Sequence, residues 1–125
     1  MDEESAARHV LDSAMKVHSA LGPGLLESAY EACLEYELTR RGVAVNTQVS
    51  MPVRYAGVQL DIGYRLDLLV GDKVVVEIKA VEKLLPLHHA QLLSYLKLGG
   101  YKLGLLLNFH ALHMREGVKR IVNGL

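Results

Sequence analysis

The sequence predicts an α/β domain in which a mixed sheet is flanked by helices. Three observations carry that prediction. Two N-terminal stretches space their apolar residues at helical intervals, the period then switches to two for three successive segments from Val43, and a proline-initiated helical stretch leads into a final apolar run. The expected order is helix, helix, three strands, helix, strand and a short closing helix, that is, an αβββαβ core preceded by an extra N-terminal helix. The chain has 125 residues, 50% of them hydrophobic, which suits one core. Its three prolines are scattered and no segment reads as a linker, so residues 1–125 are expected to form a single domain.

Each element has its own local signal. From Ser5 to Leu21, Val10, Leu11, Ala14, Met15, Val17, His18 and Leu21 recur at spacings of three and four, as on an amphipathic helix. Gly22-Pro23-Gly24 breaks it. Leu25 to Arg41 resumes the helical pattern, with Arg40-Arg41 at the negative end of the helix dipole and Gly42 as the stop. Val43, Val45, Thr47, Val49, Met51 and Val53 then alternate with smaller or polar residues, which predicts a strand, and Pro52 suggests an edge or a bend. Ala56-Gly57 turns into a second strand, Val58 to Val70, and Gly71-Asp72 into a third, Lys73 to Val81. Pro86 fits the first turn of a helix carrying Leu87, Ala90, Leu93 and Leu96 or Lys97 along one side and ending at Gly99-Gly100. Tyr101 to Phe109 reads as a buried strand, and Val118, Ile121 and Val122 fit a short docking helix in the tail.

Composition restricts the function. Lys plus Arg and Asp plus Glu both number 14, so the overall basic character of a strong non-specific DNA binder is missing and any nucleic-acid contact must be local. The single cysteine, Cys33, cannot form an internal disulfide and cannot hold a four-cysteine iron–sulfur cluster. The acidic start, Met1-Asp2-Glu3-Glu4, is unlike a secretory leader, and no apolar run approaches a membrane span. A cytoplasmic protein with no membrane partner is expected.

The segment from Leu66 to Ala80 carries the chemistry. Side chains two apart on a strand share a face, so Glu77 and Lys79 point together, away from Val76, Ile78 and Ala80. A turn of about three residues would set Val70 opposite Val74 and Asp67 opposite Glu77, whereas a two-residue turn would put Asp67 on the other face. The apolar pattern favours the first register: Leu66, Leu68, Val70, Val74, Val76, Ile78 and Ala80 then form one apolar face, with Arg65, Asp67, Glu77 and Lys79 opposite. Two adjacent carboxylates repel unless a cation lies between them, and hard oxygen donors suit Mg²⁺ or Mn²⁺. Such an ion would activate a water for phosphodiester hydrolysis while Lys79 orients that water or offsets charge on the phosphate. Charges of this pattern also occur on the wet face of an ordinary antiparallel sheet. What sets this chain apart is a second polar pair, Gln91 and Tyr95, four apart on the following helix, and Glu27, Tyr30 and Glu31 near the start of the second helix.

Taken in order, Gly24…Glu27…Tyr30, Asp67, Glu77-Ile78-Lys79 and Gln91…Tyr95 resemble the PD-(D/E)xK nuclease superfamily, and within it the small GxxExxY family. The likeness runs from the first helices to the stretch Gly117–Val122, and the Gln-x-x-x-Tyr element is similar to that of RecB-like exonucleases. The resemblance implies a restriction-endonuclease-like fold. It also implies that Asp67, Glu77 and the backbone carbonyl of Ile78 are metal ligands, Lys79 the catalytic lysine, and Glu27 an accessory acid reaching the metal or its water. Gln91 and Tyr95 would hold the lysine or the substrate backbone. Leu66 stands where the superfamily's name has proline.

The six histidines, His9, His18, His88, His89, His110 and His113, form no convincing zinc set, since adjacent His88 and His89 point about 100° apart on a helix. His88 lies one turn before Gln91, near the expected substrate. Lys83 is the best-placed cation for a phosphate, and Tyr64, Tyr95 and Tyr101 are candidates for stacking on bases. The expected activity is Mg²⁺- or Mn²⁺-dependent hydrolysis of nucleic acid, DNA first, with a homodimer as an attractive way for so short a chain to grip a duplex. The alternative is a non-catalytic nucleic-acid- or protein-binding module on the same fold.

Overall fold

A computed structural model describes all of residues 1–125. Helix α1 spans Glu3–Leu21; Asp2 caps it by accepting from the Ser5 N–H at 2.8 Å, and Glu3 and Glu4 lie at its positive end. It stops at Gly22, whose φ of +69° favours glycine. Helix α2, Glu27–Arg40, returns alongside it. Tyr30 holds the turn between them: its hydroxyl donates to Gly22 O at 2.6 Å and accepts from Leu25 N–H at 3.0 Å, while its ring stacks on Phe109 at 4.6 Å.

Strands β1 (Val45–Tyr55), β2 (Val58–Val70) and β3 (Val74–Lys79) form the expected antiparallel meander. Helix α3 (Pro86–Gly99) crosses over so that β4 (Leu103–Asn108) lies parallel to β3. Strand β5 (Val118–Val122) pairs antiparallel with β4, giving a five-stranded mixed sheet in the order β1-β2-β3-β4-β5. Helices α1 and α2 cover one face with Ala6, Val10, Ala14, Val17, Leu34 and Leu38, against Leu68, Val70, Val76, Ile78 and Leu105. On the other face α3 packs Leu92, Tyr95 and Leu96 against Met51, Leu66, Leu69, Val75, Leu106 and Ile121. No helix is long and apolar enough to cross a membrane.

The α/β fold follows the sequence expectation, with two corrections to its elements. The tail is not a docking helix but a 3-10 turn, Met114–Gly117, followed by β5. Val118, Ile121 and Val122 do fall at helical spacing, yet β4 leaves a row of backbone donors and acceptors open on its far side, and β5 satisfies them. The second correction concerns α3. Leu92, Tyr95 and Leu96 are buried, while Leu87 and Ala90 face solvent and Leu93 is half-buried. Leucines recur all round this helix, so spacing alone does not select the buried side. Gly104 does, because a Cβ there would lie 3.0 Å from Leu92, and its absence lets α3 settle on the sheet.

Candidate active site

The register of β2 on β3 decides the site. Val70 pairs with Val74, Leu69 with Val75 and Leu68 with Val76, as the three-residue turn requires, so Asp67 comes next opposite Glu77. There the regular ladder gives way to side-chain bonds. The Asp67 carboxylate accepts from Ile78 N–H at 2.8 Å, and Glu77 Oε2 accepts from Asp67 N–H at 3.3 Å. Across β2 on its other side, Gln48 of β1 adopts φ +51°, rare for a residue with a side chain, and falls out of the β1–β2 pairing between Thr47 and Val49. This distortion interrupts the alternation. Leu68 packs toward α1 and α2 whereas Leu66 packs toward α3, so Leu66 is not part of the single apolar face that unbroken alternation predicts.

Glu77 is 5% exposed, and its Oε1 is buried with no hydrogen-bond partner. Burial, then a hydrogen bond and the charge of the neighbouring Asp67 carboxyl, push its pKa up to about 9, against a smaller opposing pull from Lys79. Lys79 is half-buried and makes no salt bridge, which leaves its ammonium free to meet a ligand. Its backbone is fixed, since its carbonyl accepts from Phe109 N–H at 2.9 Å and it pairs with Asn108 in the parallel ladder.

Glu27, the first residue of α2, accepts from Ala80 N–H at 3.3 Å and so ties α2 to the end of β3. It shares a cleft of about 250 Å³ with Glu31, Gln48, Asp67 and Ile78. Gln91 donates to the Tyr95 hydroxyl at 3.1 Å, and Tyr95 packs against Tyr64 with ring centroids 5.8 Å apart. Tyr95 packs with Leu66, Val75 and Leu106 on the α3 side of the sheet, and burial, followed by the charge of Glu77, raises its phenol above its ordinary pKa. Glu27 and Asp67 thus open toward α2, and Gln91 and Tyr95 flank Glu77 from α3.

Two further residues join the site. Glu31 lines the α2 cleft, accepts from Gln48 Nε2 at 2.9 Å, and is raised in pKa by burial and by the charges of Asp67, Glu35 and Glu27. Its place four residues after Glu27 was the available signal; nothing in the sequence singled out Gln48. Asn108 is buried and brackets the segment after Lys79, accepting from Val81 N–H at 3.1 Å and donating to Val81 O at 2.9 Å. Other candidates are engaged elsewhere. Tyr30 is fully buried and does not share the Glu27 cleft, His88 Nδ1 accepts from Leu85 N–H at 3.0 Å, and His18 donates to Ala111 O at 2.7 Å. Lys83 borders a separate cleft with Asn108 and Lys119.

The donor set fits a hard divalent cation in part. The unpartnered buried oxygen of Glu77 beside Asp67 needs either a proton or a cation, and carboxylates with a backbone carbonyl are what Mg²⁺ and Mn²⁺ take. No three His, Cys, Asp or Glu side chains converge closely enough to cage an ion by themselves. The Ile78 carbonyl and water would have to complete the coordination, as is usual for Mg²⁺.

Comparisons with known proteins bear on this geometry. A family model described as PD-(D/E)XK nuclease superfamily matches residues 4–121. The solved structure titled "Crystal structure of SSO0001" is similar, with a TM-score of 0.59 and 26% identity over 98% of this chain; the chain spans 60% of that protein's length. No curated protein matches.

Proposed function

The chain belongs to the PD-(D/E)XK nuclease superfamily, and from that premise we propose that it is a Mg²⁺- or Mn²⁺-dependent nuclease of the GxxExxY type that hydrolyses DNA. The observation that carries this reading is the buried Glu77 carboxyl, with one unpartnered oxygen, set against Asp67 at the point where the β2–β3 ladder opens. In this reading residues 1–125 act as one nuclease domain. Asp67, Glu77 and the Ile78 carbonyl would hold the ion, with Glu27 in the cleft that Asp67 and Ile78 line. Mg²⁺ or Mn²⁺ bound there would polarise a phosphoryl oxygen and lower the pKa of a water.

The chain's own residues do the rest. The Lys79 ammonium orients the attacking water or offsets negative charge gathering on the phosphate, a role its freedom from salt bridges supports. The Ile78 N–H fixes the Asp67 carboxylate, and the Glu27–Ala80 bond keeps the end of β3 against α2. Gln91 holds the Tyr95 hydroxyl near Glu77, where the pair can contact the substrate backbone or Lys79. No covalent intermediate is needed.

Labelled single-stranded, duplex and branched DNA, and RNA, should be incubated with the protein in Mg²⁺ or Mn²⁺, with EDTA as control. Cleavage of at least one DNA that EDTA abolishes is the expected result. Cleavage that survives EDTA, or RNA as the only substrate, would overturn the reading. No cleavage of any polymer would favour a non-catalytic binding module on the same fold.

A further inference from the structure

Beyond Arg65 and Ser50, strands β1 and β2 leave the body of the sheet as a two-stranded arm. Strand β3 pairs with β2 only over Leu68–Val70, and residues 54–65 are all exposed. The cross-strand pairs Val53–Leu60 and Tyr55–Val58 put four apolar side chains on one side of this ribbon; the register then shifts between Met51 and Val53, and Ile62 and Tyr64 extend the apolar run along β2 at intervals of two. Arg54, Gln59, Asp61 and Arg65 occupy the other. Tyr55 is 74%, Ile62 57% and Val58 55% exposed. At its base this apolar side continues into the core beneath α3, where Met51 and Leu66 are buried and Tyr64 meets Tyr95. Past that point nothing in the chain covers it.

A two-stranded ribbon is marginal in water without something packed on it, and an apolar patch of this extent is at the upper end of what a monomer leaves exposed. The side chains themselves restrict what can cover it. The apolar side carries no cation for a phosphate backbone, and of its side chains only Tyr55 and Tyr64 have a π-face, that of Tyr64 lying against Tyr95. Its outer edge strand contains Pro52, which cannot donate to a further strand, so the face rather than the edge is the available surface. The chain has zero net charge and the face none, so two copies can approach without repulsion.

We propose that this face packs against the same face of a second copy, forming an isologous two-fold dimer through the arms. The side chains concerned would bury about 500 Å² per copy, on the order of 1,000 Å² in all, which reaches the size at which specific interfaces begin. The dimer does not depend on the nuclease reading, and its test reads mass rather than cleavage.

Sedimentation velocity of the full chain, across the micromolar range and with a thiol reductant so that Cys33 cannot cross-link, gives that mass. The wild type should sediment at twice its 13.8 kDa chain mass. Ile62→Lys should weaken association by roughly tenfold or more, while Leu87→Lys, on the exposed side of α3, leaves it unchanged. Circular dichroism checks that the variants are folded. Should Ile62→Lys unfold, Ile62→Thr, which keeps the branched shape, replaces it with the same expectation. A monomeric wild type throughout the range overturns the dimer, as does a folded Ile62 variant that remains dimeric. A monomer whose affinity for oligonucleotides falls with the Ile62 substitution would also overturn it, and would make the arm a nucleic-acid surface.

Discussion

Holding Glu77 in its place costs the metal-free protein stability, and that cost has a pH signature. Its carboxyl is raised from an ordinary value of 4.5 to about 9 in the folded chain, so between those values the native state keeps a proton that the unfolded chain has released. Folding stability from this group is therefore full below pH 4.5 and falls as pH rises toward 9. In EDTA, Glu77→Gln should melt higher than the wild type at pH 8, with the difference shrinking toward pH 5, as read by paired thermal melts. Equal differences at both pH values would contradict the raised pKa. At this scale much of the site was legible, because strand parity and a three-residue turn place Asp67 opposite Glu77. Gln48 was not, since a left-handed glutamine has no sequence signature and exists here only because the surrounding pairing enforces it.

Two connections between elements keep the site in shape. Asn108, at the end of β4, bonds both backbone groups of Val81 and accepts from His110 N–H at 3.2 Å, so it fixes the chain just after Lys79. Asn108→Ala would leave part-buried backbone groups of Val81 and His110 without their partner and should cost about 1–3 kcal/mol in urea unfolding, with a parallel loss of the proposed nuclease activity. At the other side, Tyr30→Phe removes the hydroxyl that holds the turn preceding Glu27 and should cost about 1–2 kcal/mol by the same measurement. These connections also mark where sequence reasoning ran short. The existence of each helix and of the first four strands followed from period and turn residues. The fifth strand and the buried side of α3 did not, because both are set by partners distant in the chain, the open edge of β4 and the missing Cβ of Gly104.

Across the whole molecule, acidic and basic residues balance, so under the proposed function attraction to DNA would come from the few cations near the site rather than from a general field. Binding measured by fluorescence anisotropy should therefore depend on salt only modestly, with a slope of log affinity on log salt of roughly −3 or shallower. A much steeper slope would reveal a phosphate-binding surface that the charge distribution does not suggest. The fold brings α2, the β2–β3 hairpin and α3 to one end of the sheet, and the central claim of the proposed mechanism is that Lys79 acts on the scissile phosphate. Single-turnover cleavage of the preferred DNA in Mg²⁺ by wild type and Lys79→Ala tests this most directly. The rate should fall by about 10²- to 10⁴-fold in the variant with the melting temperature nearly unchanged. A folded Lys79→Ala protein that cleaves at the wild-type rate would contradict it.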